Sequence, residues 1–183
     1  MSVDIHGLNI AVGGRLIVSD VDLAIADGER VGLIGSSGSG KSMISKAILG
    51  LLPLTAAADG SIDMSGTEII GASEHVLADL RGRYVGAVFQ NPVASLNPVM
   101  TVAQQISLPL KLHYDLTKAE RVDRVNAMLD KVGLDRDMAG KYPHELSGGQ
   151  QQRVGIATAL ITSPRFIICL LYTSPSPRDR SVS

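Results

Sequence analysis

Apolar and polar residues alternate along two early segments of the chain. In residues 3–12 and 20–26, apolar side chains recur at every second position over much of the length, as in a half-exposed antiparallel strand. Gly13-Gly14 offers a turn between the two segments, and Asp27-Gly28 is a strong hairpin-turn signal after the second. The pattern predicts an antiparallel β-layer at the N-terminus.

Other segments are expected to be buried on both faces, because their apolar residues are continuous. Short runs of this kind occupy residues 30–34, 84–89 and 166–172. Residues 60–64 suit a further short strand, preceded by a connector of small residues at 56–59. The antiparallel layer is thus expected to lead into a buried parallel sheet.

Apolar residues at helical spacing fill much of the remaining chain. One apolar stripe runs through residues 43–52. From about residue 92 to about residue 163 the pattern is mainly helical, with a capping box at Thr117 and Glu120 and a stop at Gly133. These patterns predict an α/β fold in which a helical subdomain, at about 92–163, is inserted between strands of the core.

The stretch that follows residues 30–34 fits the spacing G-x-x-x-x-G-K-[ST] of a phosphate-binding P-loop. It consists of Gly35, Ser36, Ser37, Gly38, Ser39, Gly40, Lys41 and Ser42. Glycines let backbone N–H groups approach phosphate oxygens, and the helix that follows adds the positive end of its dipole. Lys41 is expected to hold the β- and γ-phosphates, and the Ser42 hydroxyl to coordinate magnesium. The predicted strand before the loop and the helix after it disfavour a Ser/Gly-rich linker, so we expect a nucleoside triphosphate ligand.

A second helix start has similar features. Ser147 suits an N-cap with Gln150 as its capping-box partner, and Gly148 and Gly149 leave the first turn bare. A bare helix N-terminus with a hydroxyl group can bind an anion. By itself, however, the pattern favours a capped helix that binds no ligand.

Composition limits the partners. The formal net charge is -1, and the chain has two Phe, four Tyr and no Trp, so neither charge nor stacking side chains favour a nucleic-acid partner. The single cysteine, Cys169, excludes an internal disulfide and fits a reducing compartment. No signal peptide is recognisable, and no segment approaches the run of about 18 apolar residues that a membrane span needs. A function at a membrane would therefore require docking onto a membrane-spanning partner.

Taken together, these motifs resemble those of the ATP-binding-cassette (ABC) ATPases, over residues 3 to about 169. The stretch from Leu146 to Gln150 reads LSGGQ, the signature of that family, and it lies about a hundred residues after the P-loop. The strand ending in Phe89 and Gln90 is similar to the family's Q-loop. The resemblance implies a P-loop NTPase (ABC ATPase) core and ATP with Mg²⁺ as cofactors.

In that family two cassettes pair head to tail around two ATP molecules. The resemblance implies that Gly35 to Ser42 of one copy hold the phosphates while Ser147, Gly148, Gly149 and Gln150 belong to the half-site that the other copy contributes. It implies catalytic roles for Lys41 and Gln90, and places Gln90 beside Ser42 as a contact of the magnesium ion. Gln90 is also implied to relay the nucleotide state to a membrane partner.

Three further stretches resemble the oligopeptide, dipeptide and nickel importer ATPases of the family. They are Phe89-Gln90-Asn91-Pro92, Ser95-Leu96-Asn97-Pro98 and Tyr142-Pro143-His144-Glu145. The resemblance implies membrane-spanning permease subunits and a second ABC ATPase subunit, identical or paralogous, as partners. An extracytoplasmic substrate-binding protein is implied indirectly. It also implies a peripheral position on the cytoplasmic face of the plasma (inner) membrane.

Two departures from the family pattern bear on function. Val12 occupies the position where the family usually stacks adenine on an aromatic side chain, so weaker base selectivity is expected. Residues 166–169 resemble the Walker B strand, which should continue Asp-Glu-Pro, whereas this chain continues Leu170-Leu171-Tyr172. Leucine has no oxygen that could orient magnesium or polarise water. The chain is therefore expected to bind Mg-ATP and to hydrolyse it very slowly.

The abrupt loss of the family pattern predicts an ABC ATP-binding domain over residues 1–169 and a non-homologous tail over residues 170–183. The end of the tail is rich in Pro, Ser and Arg, a composition that predicts disorder. We interpret it as foreign to the parent gene, through truncation, frameshift or read-through.

Two other functions stay open at this point. One is a soluble ABC ATPase acting on DNA or ribosomes, which the neutral charge and the lack of basic runs disfavour. The other is a non-catalytic ATP-binding module, which the missing carboxylates permit.

Overall fold

A computed structural model describes residues 1–89 and 95–170 of the chain. Gln90, Asn91 and Pro92 of the predicted Q-loop lie outside the described residues, as does the tail from Leu171 onward. The fold divides into two compact units, Met1–Val85 and Gly86–Ser183.

The first unit contains a four-stranded antiparallel sheet, which confirms the predicted β-layer. Its strands are β1 (Val3–Val12), β2 (Arg15–Ile25), β3 (Ala56–Met64) and β4 (Thr67–Glu68), in the order β2-β1-β3-β4. Gly13 and Gly14 join β1 to β2 with φ angles of 57° and 80°, the positive values that a tight two-residue hairpin requires.

A bulge in β1 shifts the buried face from odd to even positions. Val3 and Ile5 are fully buried before the bulge, and Leu8 and Ile10 after it. The pairing register with β2 shifts between Ile5 and Leu8, and the amide of Gly7 donates to Oδ1 of Asp22 at 2.8 Å. The extra residue explains why the alternation in the sequence is incomplete.

The prediction of a connector at residues 56–59 is wrong, because these residues form the first half of β3. Ala56, Ala57 and Ala58 pair with the end of β1, opposite Val12, Ala11 and Ile10. Alanine and aspartate have low strand propensity, and the neighbouring strand overrides that preference by supplying a complete hydrogen-bond ladder.

Two helices complete the first unit: α1 (Lys41–Ile48) and α2 (Glu74–Arg83). The apolar stripe predicted α1 through residue 52, but the helix ends four residues earlier. Gly50 adopts a φ of 61°, and the amide of Leu51 turns back to the carbonyl of Lys46 at 2.8 Å. This left-handed glycine termination stops the helix before the apolar residues run out.

The prediction of a buried strand at residues 30–34 is wrong. The segment is not a strand, and Ile34 is 98% exposed. Asp27-Gly28 forms a turn, closed by the Glu29 amide and the Ala26 carbonyl at 3.1 Å, but no strand follows it. A strand exists only where a neighbour completes its hydrogen-bond ladder, and the sheet of this unit supplies none to residues 30–34.

The second unit is mainly helical. It contains α3 (Val102–His113), α4 (Lys118–Lys131), α5 (Gly148–Leu160) and two short 3₁₀ turns, Arg136–Gly140 and Pro143–Glu145. Strands β5 (Val85–Val88) and β6 (Phe166–Cys169) pair with each other. One apolar core joins the helices; its fully buried members are Val102, Ile106, Leu110, Leu129, Val154 and Ala157.

Helix α4 begins and ends where its local signals indicate. Thr117 and Glu120 form the predicted capping box, and Gly133, with a φ of 68°, lies just beyond the end of the helix.

Candidate functional site

The P-loop leads into α1 through a glycine that no other residue could replace without strain. Gly40 is the N-cap, with a φ of 88°, and no side chain caps the helix. A Cβ at Gly40 would lie 2.8 Å from Cγ2 of Val18 and 3.2 Å from the carbonyl oxygen of Ile17. The loop therefore packs directly against strand β2.

The Lys41 side chain forms hydrogen bonds with three residues of the P-loop. Its Nζ donates to the carbonyls of Gly35 and Ser36 at 2.7 and 2.6 Å, and to Oγ of Ser39 at 3.1 Å. A Cβ at Gly35 would approach the same Ser39 hydroxyl to 2.8 Å. The loop thus curls around one ammonium group, and a larger side chain at Gly35 would push against it.

The cavity beside this loop includes hydrogen-bond donors of the kind that bind phosphate. Its volume is about 250 Å³, and it is lined by Ile17 and by residues 38–43. At the start of α1 the Met43 amide donates to the Gly40 carbonyl at 2.8 Å, whereas the Lys41 and Ser42 amides have no partner among the described residues. These amides, the Lys41 ammonium and the exposed Ser42 fit a polyphosphate with its magnesium ion. Within residues 1–89 and 95–170, no three His, Cys, Asp or Glu side chains gather as a separate metal site.

The second predicted helix start is present at α5, in the other unit. The Ser147 amide donates to Oε1 of Gln150 at 2.8 Å, and Oγ of Ser147 accepts from the Gln150 amide at 3.3 Å. Ser147, Gly148 and Gly149 are exposed, and a Cβ at either glycine would meet nothing within 4 Å. The predicted capping box is confirmed, and the surface around it is open.

Leu170 directly follows β6, the strand whose sequence resembles Walker B. The Leu170 amide donates to the Val88 carbonyl at 2.8 Å, so the carboxyl ends of β5 and β6 lie side by side. The side chain there is aliphatic and brings no oxygen ligand to this end of the strands.

A buried glutamine, Gln151, lies in the first turns of α5 and was not predicted from the sequence. Gln151 is 8% exposed, and its Nε2 donates to the carbonyls of Pro143 and Leu146 at 2.8 and 3.3 Å. A signal existed, because Gln151 shares the helical phase of Val154 and Ala157, both fully buried.

A groove of about 480 Å³ in the helical unit was also missed. It lies among α3, α4 and the 3₁₀ turn Arg136–Gly140, with Val122 and Val125 in its lining and Lys118 and Arg121 also beside it. Val122 is 48% exposed although it continues the apolar stripe of α4. In the part of the chain that the structure describes, no helix is long and apolar enough to cross a membrane.

Comparison with known proteins matches one family over a range that includes the starts of both α1 and α5. The protein-family model described as ABC transporter matches residues 18–169. A Brucella abortus protein named as a peptide import ATP-binding protein is 41% identical over 179 residues, which is 91% of this chain and 53% of that protein. The oligopeptide transport ATP-binding protein OppF of Salmonella typhimurium is 43% identical over 153 residues, 83% of this chain and 45% of that protein. The chain thus spans about half the length of these curated relatives.

Solved structures agree with the fold. The ATP-binding cassette MJ0796, solved as a dimer bound to ADP and phosphate in a post-hydrolysis state, matches with a TM-score of 0.81 and 31% identity, covering 91% of this chain and 72% of that one. The cbiO1 protein of Clostridium perfringens, part of the ABC transporter complex cbiONQ, matches with a TM-score of 0.75 and 28% identity, covering 91% and 64%. The extent of the family match and the identity to these relatives show that the chain belongs to the ABC transporter family and has the P-loop ABC ATPase fold.

Proposed function

We propose that this chain is the ATP-binding part of an ABC importer ATPase, and that the cargo of the importer is peptide. The relatives of similar sequence carry names of peptide import and oligopeptide transport. The proposal that this chain binds ATP rests on one observation: carbonyl and hydroxyl oxygens of the P-loop surround the Lys41 ammonium group at an uncapped helix start. Nickel as cargo rests only on the sequence resemblance.

Each P-loop residue has a distinct part in the proposed site. Lys41 would hold phosphate oxygens in place of its carbonyl contacts, and the amides of Gly38, Gly40, Lys41 and Ser42 would donate to the same anion. Ser42 holds the magnesium ion through its hydroxyl, and Gln90 is a further contact of that ion. ATP supplies the phosphoanhydride bond whose hydrolysis powers transport, and Mg²⁺ offsets the phosphate charge.

The second half of the site comes from another copy or a paralogue. We assign Ser147, Gly148, Gly149 and Gln150 of that subunit to the γ-phosphate side of the nucleotide. The exposed glycines and the N-terminus of α5 support this assignment, because they leave room for an anion beside backbone N–H groups. The dimeric state of the MJ0796 cassette also supports it.

The permease is the proposed membrane partner, and its docking surface is the groove between α3 and α4. Val122 and Val125 would receive apolar side chains, while Lys118 and Arg121 would pair with acidic ones. We propose, from the sequence resemblance, that the chain lies on the cytoplasmic face of the plasma (inner) membrane. An extracytoplasmic substrate-binding protein would meet the permease and not this chain.

Hydrolysis by this chain is expected to be at least about a thousandfold slower than by a relative that has Asp and Glu after its Walker B strand. Leu170 and Leu171 can neither orient magnesium nor act as a general base. This favours a non-catalytic ATP-binding module as the second candidate function. A phosphate-release assay on the purified chain distinguishes the two, because turnover at the relative's rate would contradict slow hydrolysis.

Nucleotide affinity of P-loop variants tests the ATP site. Lys41→Ala should weaken Mg-ATP binding by about 10- to 100-fold, the loss expected for a charge-assisted hydrogen bond. Lys46→Ala, at the other end of the same helix, removes the same charge and should bind like the wild type. Calorimetric titration with Mg-ATP measures both. Equal affinity of the two variants would refute the assignment of Lys41.

A further inference from the structure

Gln151 is one of only three buried polar or charged side chains among the described residues, together with Ser45 and Gln105. Both hydrogen-bond contacts of its Nε2 group go to backbone carbonyls of residues 143–146, the stretch that ends in the first residue of the signature. They reach Pro143 at 2.8 Å and Leu146 at 3.3 Å. Its Oε1 is buried, and no protein group among the described residues donates to it.

These two bonds tie the 3₁₀ turn Pro143–Glu145 to the underside of α5. The turn also has hydrogen bonds of its own: the Leu146 amide donates to the Pro143 carbonyl at 3.1 Å, the Glu145 amide to the Tyr142 carbonyl at 3.0 Å, and the Tyr142 amide to Oε2 of Glu145 at 2.6 Å. The chain then passes directly from Leu146 into Ser147, the N-cap. The position of the Ser147 hydroxyl therefore depends on how firmly this turn is held.

An apolar side chain would fill the same space and bury no amide oxygen, but it would take the Nε2 donor away from the Pro143 and Leu146 carbonyls. Burying an amide oxygen that no protein group donates to costs free energy, so the donor side of the same amide has to offset that cost. The gain at Gln151 is the pair of carbonyl contacts, because only an amide or a similar donor group can reach both.

We propose that Gln151 is a positioning residue for the nucleotide-contacting signature: its amide pins residues 143–146 and so fixes Ser147, Gly148 and Gly149 for a phosphate of ATP bound by the opposite subunit. The inference has two halves. The first half, that Gln151 pins the turn, concerns this chain alone. The second half, that the signature contacts nucleotide, rests on the proposed function.

Hydrogen exchange of the whole chain tests the pinning directly, without nucleotide. Gln151→Met keeps the length and the burial of the side chain but removes both donors. The amides of Glu145 and Leu146 should exchange about tenfold faster, as expected when a buried hydrogen bond is lost. The amides of residues 154–160 should keep their wild-type rates. Gln152→Met makes the same chemical change at an exposed position of the same helix and should alter neither region.

A second variant guards against a simple loss of folding. Gln151→Glu is also close in size, but it turns carboxylate oxygens towards the two carbonyls. The amides of Glu145 and Leu146 should therefore exchange faster than in the wild type in this variant too. If either folded variant leaves Glu145 and Leu146 at wild-type rates, or if residues 154–160 accelerate equally, Gln151 is ordinary core packing and the inference is wrong.

Mg-ATP-dependent dimerisation, followed by sedimentation, tests the second half. The protein concentration needed for half-maximal dimer should rise about tenfold in Gln151→Met and stay unchanged in Gln152→Met. Calorimetric Mg-ATP affinity should not change in either variant, because the P-loop belongs to the other unit. Wild-type protein that binds Mg-ATP but never dimerises contradicts the proposed composite site, and the exchange rates still decide the role of Gln151. Dimerisation of Gln151→Met at wild-type concentrations overturns the positioning role even if the turn loosens.

Discussion

Helices α1 and α5 begin in opposite ways, although both starts are rich in glycine and serine. At α1 the N-cap is Gly40 in the left-handed region, and no side chain caps the first turn. At α5 the N-cap is Ser147 in extended conformation, and Gln150 completes a reciprocal capping box. The first start leaves the amides of Lys41 and Ser42 for an outside partner, whereas the capping box of the second satisfies the amides of Ser147 and Gln150.

The difference indicates two kinds of phosphate contact in the proposed composite site. An uncapped start with a lysine enclosed in its loop can surround an anion, since donors come from several directions. A capped start can offer only the amides that its capping box does not use, together with the hydroxyl. We therefore infer that α1 supplies most of the nucleotide affinity and that α5 senses a nucleotide already bound.

Glycine substitutions in the P-loop test the first half of this contrast and should have the largest effect on folding. Gly40→Ala should lower the free energy of unfolding by about 2–4 kcal/mol, because it combines a positive φ with a close approach to β2. Gly38→Ala, with a φ of 82° and open space around it, should cost about 1–2 kcal/mol. Denaturant titration measures both. Equal losses would show that contact with β2 does not constrain the loop.

Removing N-cap hydroxyls tests whether the α5 cap does more than stabilise its helix. Ser147→Ala and Thr117→Ala each remove the Ser or Thr of a capping box and should each cost about 1 kcal/mol of stability. Only Ser147→Ala should also weaken Mg-ATP-dependent dimerisation, because Thr117 lies outside the proposed site. If both variants dimerise alike, the capped start of α5 serves the helix alone.

The smallest expected effect is a pH dependence of stability, which the charged capping box of α4 should show and the neutral capping box of α5 should not. The Thr117 hydroxyl, followed by its backbone amide, holds the pKa of Glu120 below the ordinary value of 4.5. A carboxylate with a lowered pKa in the folded state contributes stability above that ordinary value, and the contribution is lost as the pH falls through the folded-state pKa.

The wild type should therefore lose more stability than Glu120→Gln between about pH 6 and about pH 3, where carboxylates titrate. Thermal melts followed by circular dichroism measure this difference. Gln150→Glu should introduce the same sensitivity at α5, because an amide does not titrate and a carboxylate does. Identical pH profiles for wild type and Glu120→Gln would contradict the role assigned to the Glu120 carboxylate.

Some helix starts and ends were predictable from the sequence, because the residues that determine them lie within a few positions of one another. The capping boxes at Thr117 and Ser147 and the terminating Gly133 are of this kind, and the structure has all three. Strands depend on distant partners. Residues 56–59 became a strand through pairing with β1, and residues 30–34 failed to become one without a neighbour.

The same division holds at the candidate site. Fixed spacing located residues 35–42 and the signature, because each motif is continuous in sequence. Gln151 was missed because it stands between Gln150 and Gln152, and their chemistry is identical. Only its position relative to the buried Val154, three residues later, distinguishes it from its neighbours.

The exposed segment at residues 30–34 has a consequence for handling the protein. Ile34 is almost wholly in contact with water, and Val31 and Leu33 are each 41% exposed. Apolar side chains on an unpaired stretch of backbone favour self-association that depends on concentration and temperature and is indifferent to nucleotide. Dilute, cold samples with a low concentration of a mild detergent should suppress this colloidal association, so that dimers that persist in Mg-ATP can be attributed to the cassette interface.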